Sequence, residues 1–433
     1  MEFMINDKEY MNETKYIKEY IYSENRLNYK LDNNFIRMLY EYIDEGYKYV
    51  VNMILCKILL LKKSKIKFQE DGLYIKRKIN NKIKSKIKNQ IKFTCKLLDR
   101  EINIYIGIEE EKVDYKYYYL IVNYMLSILY ILIKESNPKC SKKLDIYIYL
   151  TNINKNLPIN SNETIGKYHV NSGYTFLCKK NNIIVIYRKE EWFKVFIHEC
   201  LHAFGFHIIY NLPNNEIVNN LFNINNEINI CLSECYVETW ARILNIANIS
   251  YLKTNSYDNF KISLCKILEI ETIYSCIQVY KILKYMDLTY MELINNNNIQ
   301  TKYKENSNIF SYYILTTIFL LNINDFLKWC ENNNKQQILK LSNRSKKLSN
   351  RSRKLSTRKL SNKKLSNIKI KYLNKRMTST LKKSNSSKLK SKSLVDFIKD
   401  KYKNQNLIKI LSDNNLDNNI NNGLRMTIIE LIK

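Results

Sequence analysis

Two hydrophobic periods run along this chain, and the place where one gives way to the other divides it. Apolar residues of Phe35–Lys62 recur at helical spacing, and Ile75–Lys92 is lysine-rich and amphipathic. Residues 1–94 are therefore expected to form a helical, basic N-terminal extension. From about Cys95 a period of 2 takes over. Ile102–Ile108 (INIYIGI) and Leu144–Thr151 (LDIYIYLT) alternate as strands, and the long apolar helix Tyr117–Lys134 lies between them. After a polar loop, Asn152–Glu163, the segments Gly173–Cys178 (GYTFLC) and Ile183–Tyr187 (IIVIY) form a hairpin turning at Lys179–Asn182.

An apolar helix is predicted within Glu190–His207, with Glu190 and Glu191 in its first turn and Gly205 as its break. Further helices are read at Ile228–Asn248, Phe260–Leu293 and Ile309–Asn332. The expected fold class is α+β. Strands with one long apolar helix are expected in residues 95–210 and a mainly helical subdomain in 211–335.

Composition changes this picture in one place. The net charge is +30, and the stretch Lys340–Lys392 alone carries 20 Lys and Arg with no Asp or Glu. Repeats such as KLSNRSKKLSN make residues 336–393 too polar to bury a core, so a disordered basic insert is expected. It would either bind nucleic acid or an anionic surface without sequence preference, or have no partner; Tyr372 is its one aromatic. Residues 394–433 return to mixed character, and Leu394–Ile398 and Thr427–Ile432 are expected to dock back.

The start, MEFMINDKEYMNETK, lacks the apolar core of a secretory signal, and the ten cysteines form no CxxC pair. Both point to an intracellular protein with reduced thiols. Cys231 and Cys235, four apart, read as buried thiols or zinc ligands. Tyr117–Ile133 is uncharged and barely long enough to span a bilayer, and its Asn123, Ser127 and tyrosines favour a core helix.

Candidate chemistry concentrates in Glu190–His207. Three of the four histidines lie here, and His198-Glu199-Cys200-Leu201-His202 is an HExxH pattern. Residues four apart share a helix face, so His198 and His202 can grip one ion. Glu199 stands beside them as a general base for an activated water. The bland alternative is a core helix whose histidines satisfy local hydrogen bonds. Two histidines leave a zinc site incomplete. One candidate for the third ligand is His207, five residues after His202. The other is Glu234, which with Glu238 lies four apart on the helix Ile228–Asn248. Two carboxylates on an apolar helix are costly to bury without a cation or histidine to receive them.

This pattern resembles the zincin metallopeptidases. Glu234-Cys235-Tyr236-Val237-Glu238 is similar to the ExxxD arrangement of their gluzincin branch, with Glu for Asp. LDIYIYLT, HVNSGYT, IIVIYRKEEWFKVFIHE and SECYVETWA are also similar to uncharacterised zincin-like proteins of large DNA viruses. The resemblance implies that the strands of residues 95–210 form a small mixed sheet with the long apolar helix behind it. It implies Zn(2+) held by His198, His202 and Glu234, with Glu238 orienting His198 and Glu199 as base. It also implies a peptide substrate lying along the strand before the active helix, where Asn171, Gly173 and Tyr174 are candidate contacts. Asn171 is equally read as a turn residue. Tyr210, Tyr236 and His169 are candidate oxyanion donors. If the chain is viral, the host cytoplasm or the virion is its expected place. The alternatives are an inactive zincin-fold structural protein of a virion, or a nucleic-acid binder acting through the insert.

Overall fold

The computed structural model describes residues 10–24, 26–27, 29–53, 57–62, 66–68, 75, 77–207, 213–254, 256–295, 299–333 and 393–431. The insert 340–392 and Tyr210 lie outside them. The described part is α+β, with a six-stranded mixed sheet and many helices.

The first described helices are α1 (Met11–Tyr22) and α2 (Asn33–Val51), the latter capped by Asp32. It then departs from the expected helical extension. Strand β1 (Lys57–Lys62) follows, then α3 (Arg77–Lys86), β2 (Asn89–Leu97) and β3 (Arg100–Ile108). β1 and β2 pair antiparallel and join the sheet. The reason is visible in β2, NQIKFTCKL: Ile91, Phe93 and Leu97 are buried with polar residues between them, a period of 2 that the lysines disguise as an amphipathic helix.

α4 (Tyr115–Glu135) makes the crossover from β3 to the parallel strand β4 (Lys143–Tyr149). Next come β5 (Ile165–Gly166), the single turn α5 (Lys167–Val170), β6 (Gly173–Thr175) and β7 (Asn181–Ile186). The sheet order is β1-β2-β3-β4-β7-β6, with β6 at one edge and antiparallel to β7. Strand alternation sends Ile104, Ile106, Ile146 and Ile148 to the face covered by α4. It sends Tyr105, Tyr147 and Tyr149 to the other face, where Ile83 and Ile87 meet them.

α6 (Trp192–Ala203) is buried along its whole length. It ends where Gly205 adopts φ +82° and donates its N–H to the His202 carbonyl at 3.1 Å. Then follow α7 (Pro213–Leu221), α8 (Leu232–Leu252), α9 (Tyr257–Tyr285), α10 (Tyr290–Asn295) and β8 (Glu305–Asn306), which pairs with β5. A π-helix, Phe310–Leu315, runs into α11 (Thr316–Leu321) and α12 (Ile323–Asn332). The segment 393–431 packs back onto the body through buried Leu394, Phe397, Met426 and Ile428.

One hydrophobic cluster reaches from Tyr10 to Ile429. α2 approaches α4 closely at Gly46, where a Cβ would stand 2.7 Å from the Ser127 carbonyl oxygen. α4 is the one unbroken helix among the described residues long and apolar enough to cross a membrane, and 67% of that stretch is buried in the fold. Cys140 and Cys178 form a disulfide, which the scattered cysteine spacing did not suggest. It ties the loop before β4 to the β6–β7 turn, next to Gly205.

Candidate metal centre

α6 and α8 cross with their polar positions facing each other. His198 and His202, four apart on α6, present both Nε2 atoms to Glu234 in the first turn of α8. Glu234 Oε2 is 3.2 Å from His198 Nε2 and 3.2 Å from His202 Nε2. The two Nε2 atoms are themselves 3.2 Å apart.

That triangle fits one small cation. Ligand atoms about 2.1 Å from a tetrahedral ion lie roughly 3.4 Å from one another. Two imidazole lone pairs and a carboxylate aimed at one point repel unless a cation or a proton lies among them. Against a burial that favours the neutral ring, Glu234 and Glu238 accordingly raise His198 to about 9. Glu234 is in turn held well below the usual carboxylate range by His202 and His198, although its burial works the other way. Among the described residues His198, His202 and Glu234 are the group able to hold a metal ion.

Glu238 lies one turn further along α8. Its Oε2 accepts from His198 Nδ1 at 3.0 Å, which leaves Nε2 as the free nitrogen of that ring. Its other oxygen takes Lys194 Nζ at 2.9 Å and Arg242 Nε at 3.0 Å. His202 has no such support, for its Nδ1 is buried without a hydrogen bond among the described residues.

Glu199 shares a cavity of about 50 Å³ with His198, Gly173, Lys155, Lys194 and Tyr312. Burial raises its carboxyl above the ordinary value, with the two histidines pulling it down. Gly173 lies directly over it: a Cβ there would stand 3.2 Å from Glu199 Oε1.

His207 follows the turn at Gly205 and is not part of the ligand group. Cys235 is buried and donates to the Leu232 carbonyl; neither it nor Cys231 joins the group. β6 ends at Thr175, short of the Cys178 expected from the sequence, and His169 and Val170 before it belong to α5. Asn171 lines the cavity, but its carbonyl already accepts from Tyr187 Oη at 2.7 Å and Arg188 Nε at 3.0 Å. The Tyr174 side chain, a candidate substrate contact, does not line this cavity. It packs with Val185 and Tyr187 on the far face of the sheet, since its side chain must point opposite to its neighbours in β6. Tyr236 is buried against Phe326, and His169 accepts from the Gly166 N–H within its own loop.

Glu190 and Glu191 precede α6 rather than opening its first turn. Glu191 has φ +50°, and its Oε2 accepts from the N–H groups of Met426 at 2.7 Å and Thr427 at 3.1 Å. Its Oε1 pairs with Lys155 and lies 3.6 Å from Lys194.

Three residues of this region went unrecognised in the sequence. Lys194 carried a signal, being a charge on an apolar helix one turn before His198. Lys155 and Tyr312 carried none. The Tyr312 ring lies 5.9 Å from that of His198, and burial together with the charges of Glu234 and Glu199 raises its hydroxyl well above the ordinary value. It is carried on the π-helix, an irregularity often met at functional sites.

No protein-family model, curated protein or solved structure matches this chain.

Proposed function

We propose that this protein is a zinc metallopeptidase of the zincin type. The observation that carries the reading is the convergence of His198, His202 and Glu234 at 3.2 Å spacing with Glu199 on the adjoining cavity wall. Two imidazoles and one carboxylate are the donor set of hydrolytic zinc sites that keep one position open. Zinc bound there supplies Lewis acidity to a carbonyl and lowers the pKa of water.

The chain's own residues do the rest. Glu199, desolvated and above its ordinary pKa, takes a proton from the attacking water and passes it to the departing amine. Glu238 holds the His198 ring in place through Nδ1. Tyr312 donates its hydroxyl proton toward the oxygen that becomes negative as water adds. The peptide lies along β6. Tyr187 N–H bonds the Ser172 carbonyl, so by antiparallel alternation the N–H and C=O groups of Gly173 and Thr175 face the open edge, where an extended chain can pair.

Elemental analysis and peptide hydrolysis test the reading together. One zinc per chain is expected, lost in His202→Ala and in Glu234→Ala. Glu199→Gln is expected to keep zinc and to lose hydrolysis by about 10³-fold or more, the scale of an essential proton-transfer group. Zinc retained in Glu234→Ala, or full activity in Glu199→Gln, overturns it.

A further inference from the structure

The cavity beside Glu199 extends along α6 toward the helix N-terminus, and two buried ammonium groups line it together with the carboxylates of Glu199 and Glu238. Lys194 stands one turn before His198, and Lys155 enters from the loop after β4. Both side chains are 2% exposed, and both line the cavity. A buried ammonium is costly unless carboxylates surround it. Here the carboxylates are shared. Glu191 serves Lys155 and Lys194 with one oxygen, while Met426 and Thr427 N–H groups take the other. Glu238 serves Lys194, Arg242 and His198. Lys194 spends its N–H groups on Glu238, Met426 and Glu191, whereas Lys155 Nζ has Glu191 Oε1 as its acceptor among the described residues and keeps N–H groups in reserve. Burial, with Lys194 nearby, pushes Lys155 down to about 8 despite the attraction of Glu191. A carboxylate entering the cavity would supply acceptors for those N–H groups.

The position of that anion follows from the strand. A peptide paired with Gly173 and Thr175 passes the mouth of this cavity as it passes Glu199, so a side chain next to the bond under attack can enter. Val170, Val195 and Met426 wall the space, whose volume of about 50 Å³ suits a group of a few heavy atoms and turns away an aromatic ring. We propose that this cavity is a specificity subsite for an acidic residue, aspartate or glutamate, next to the scissile bond, with Lys155 as the residue that selects it. The inference rests on the peptidase reading for the path of the peptide. A carboxylate there gains charge-assisted hydrogen bonds in a desolvated setting, an amide isostere gains only a weaker neutral contact, and a lysine side chain would add a further buried ammonium.

The test is binding, with hydrolysis as a separate arm. Zinc-loaded, full-length Glu199→Gln protein is titrated with two pools of fluorescein-labelled hexapeptides, identical except for Asp or Asn at one central position. Fluorescence anisotropy is expected to show the Asp pool binding about tenfold more tightly. Adding Lys155→Gln, which keeps a donor toward Glu191, is expected to abolish that preference with zinc content unchanged, and adding Lys155→Arg to retain it. Equal affinity of both pools overturns the subsite, as does an unaltered preference in folded Lys155→Gln. If the Gln variant does not fold, the comparison of Asp with Asn on the parent decides. In the hydrolysis arm, wild-type protein acts on a mixed peptide library. Acid-selective binding with no cleavage anywhere sinks the hydrolytic reading and leaves the subsite standing. Cleavage without enrichment of Asp or Glu beside the cut sinks the subsite alone.

Discussion

Glu238 Oε2 lies 3.0 Å from His198 Nδ1, so one carboxylate on α8 determines which nitrogen of an imidazole on α6 remains free. The same carboxylate also accepts from Lys194 and Arg242, which stiffens its own position. Replacing it changes the ring's support without touching a proposed ligand. Glu238→Gln is expected to weaken zinc binding by about 10–100-fold. Competition against a chromogenic chelator measures this, and an unchanged zinc affinity would show that His198 needs no such partner.

Gly173 is placed where any side chain would collide. A Cβ would stand 2.8 Å from the Val185 carbonyl oxygen, 3.1 Å from Val195 Cγ1 and 3.2 Å from Glu199 Oε1. The backbone oxygen cannot yield, so β6 must move off Glu199. Gly173→Ala is expected to lower kcat/KM by about tenfold or more, the scale on which a small misplacement of reacting groups is felt. Zinc content should stay the same. Wild-type kinetics in this variant would mean that the edge strand does not position substrate.

Tyr312 touches the cavity with its ring beside His198. If its hydroxyl meets the developing oxyanion, Tyr312→Phe should reduce kcat by about 10²-fold and leave KM nearly unchanged, as loss of one such donor does. A rise in KM alone would reassign the residue to substrate packing.

Glu191 predicts how the fold responds to acid. Against its burial, Lys155, Lys194 and Arg425 hold its carboxyl at about 2, below the ordinary 4.5. A depressed folded-state pKa stabilises at pH values above 4.5, and that stabilisation is lost as pH falls from 4.5 toward 2. The group contributes about 3 kcal/mol at neutral pH, taking about 1.36 kcal/mol per pH unit. Glu191→Gln should therefore lower the melting temperature at pH 7 and lose most of its disadvantage near pH 2. Thermal unfolding across that range checks it; a deficit that persists undiminished at pH 2 would show that Glu191 acts through its hydrogen bonds to Met426 and Thr427 alone.

Local patterns carried much of this molecule. The alternation in INIYIGI and LDIYIYLT marked two parallel neighbours at the centre of the sheet, and the uniformly apolar Tyr117–Lys134 marked the helix behind them. The spacing of four in His198/His202 and in Glu234/Glu238 is a property of each helix alone, which is why these residues could be named before their elements met. Where local pattern was ambiguous it misled. The lysines of β2 and the apolar run KILLLK of β1 looked helical until pairing with β3 gave their backbone groups partners.

By itself, then, the sequence determined the long helices α4, α6, α8 and α9, the central strands and the two short-range pairs of polar residues, because each is written in contacts a few residues apart. Only the tertiary structure decided that Glu234 closes the triangle while His207 stays outside it, since the chain turns away from α6 at Gly205. It also decided that Tyr174 faces away from Glu199, that Tyr312 stands beside His198, and that Lys155 and Lys194 share Glu191. Those relations join segments far apart in the chain. They depend on how the sheet twists and how α6 crosses α8, and no hydrophobic period records the direction from which one element approaches another.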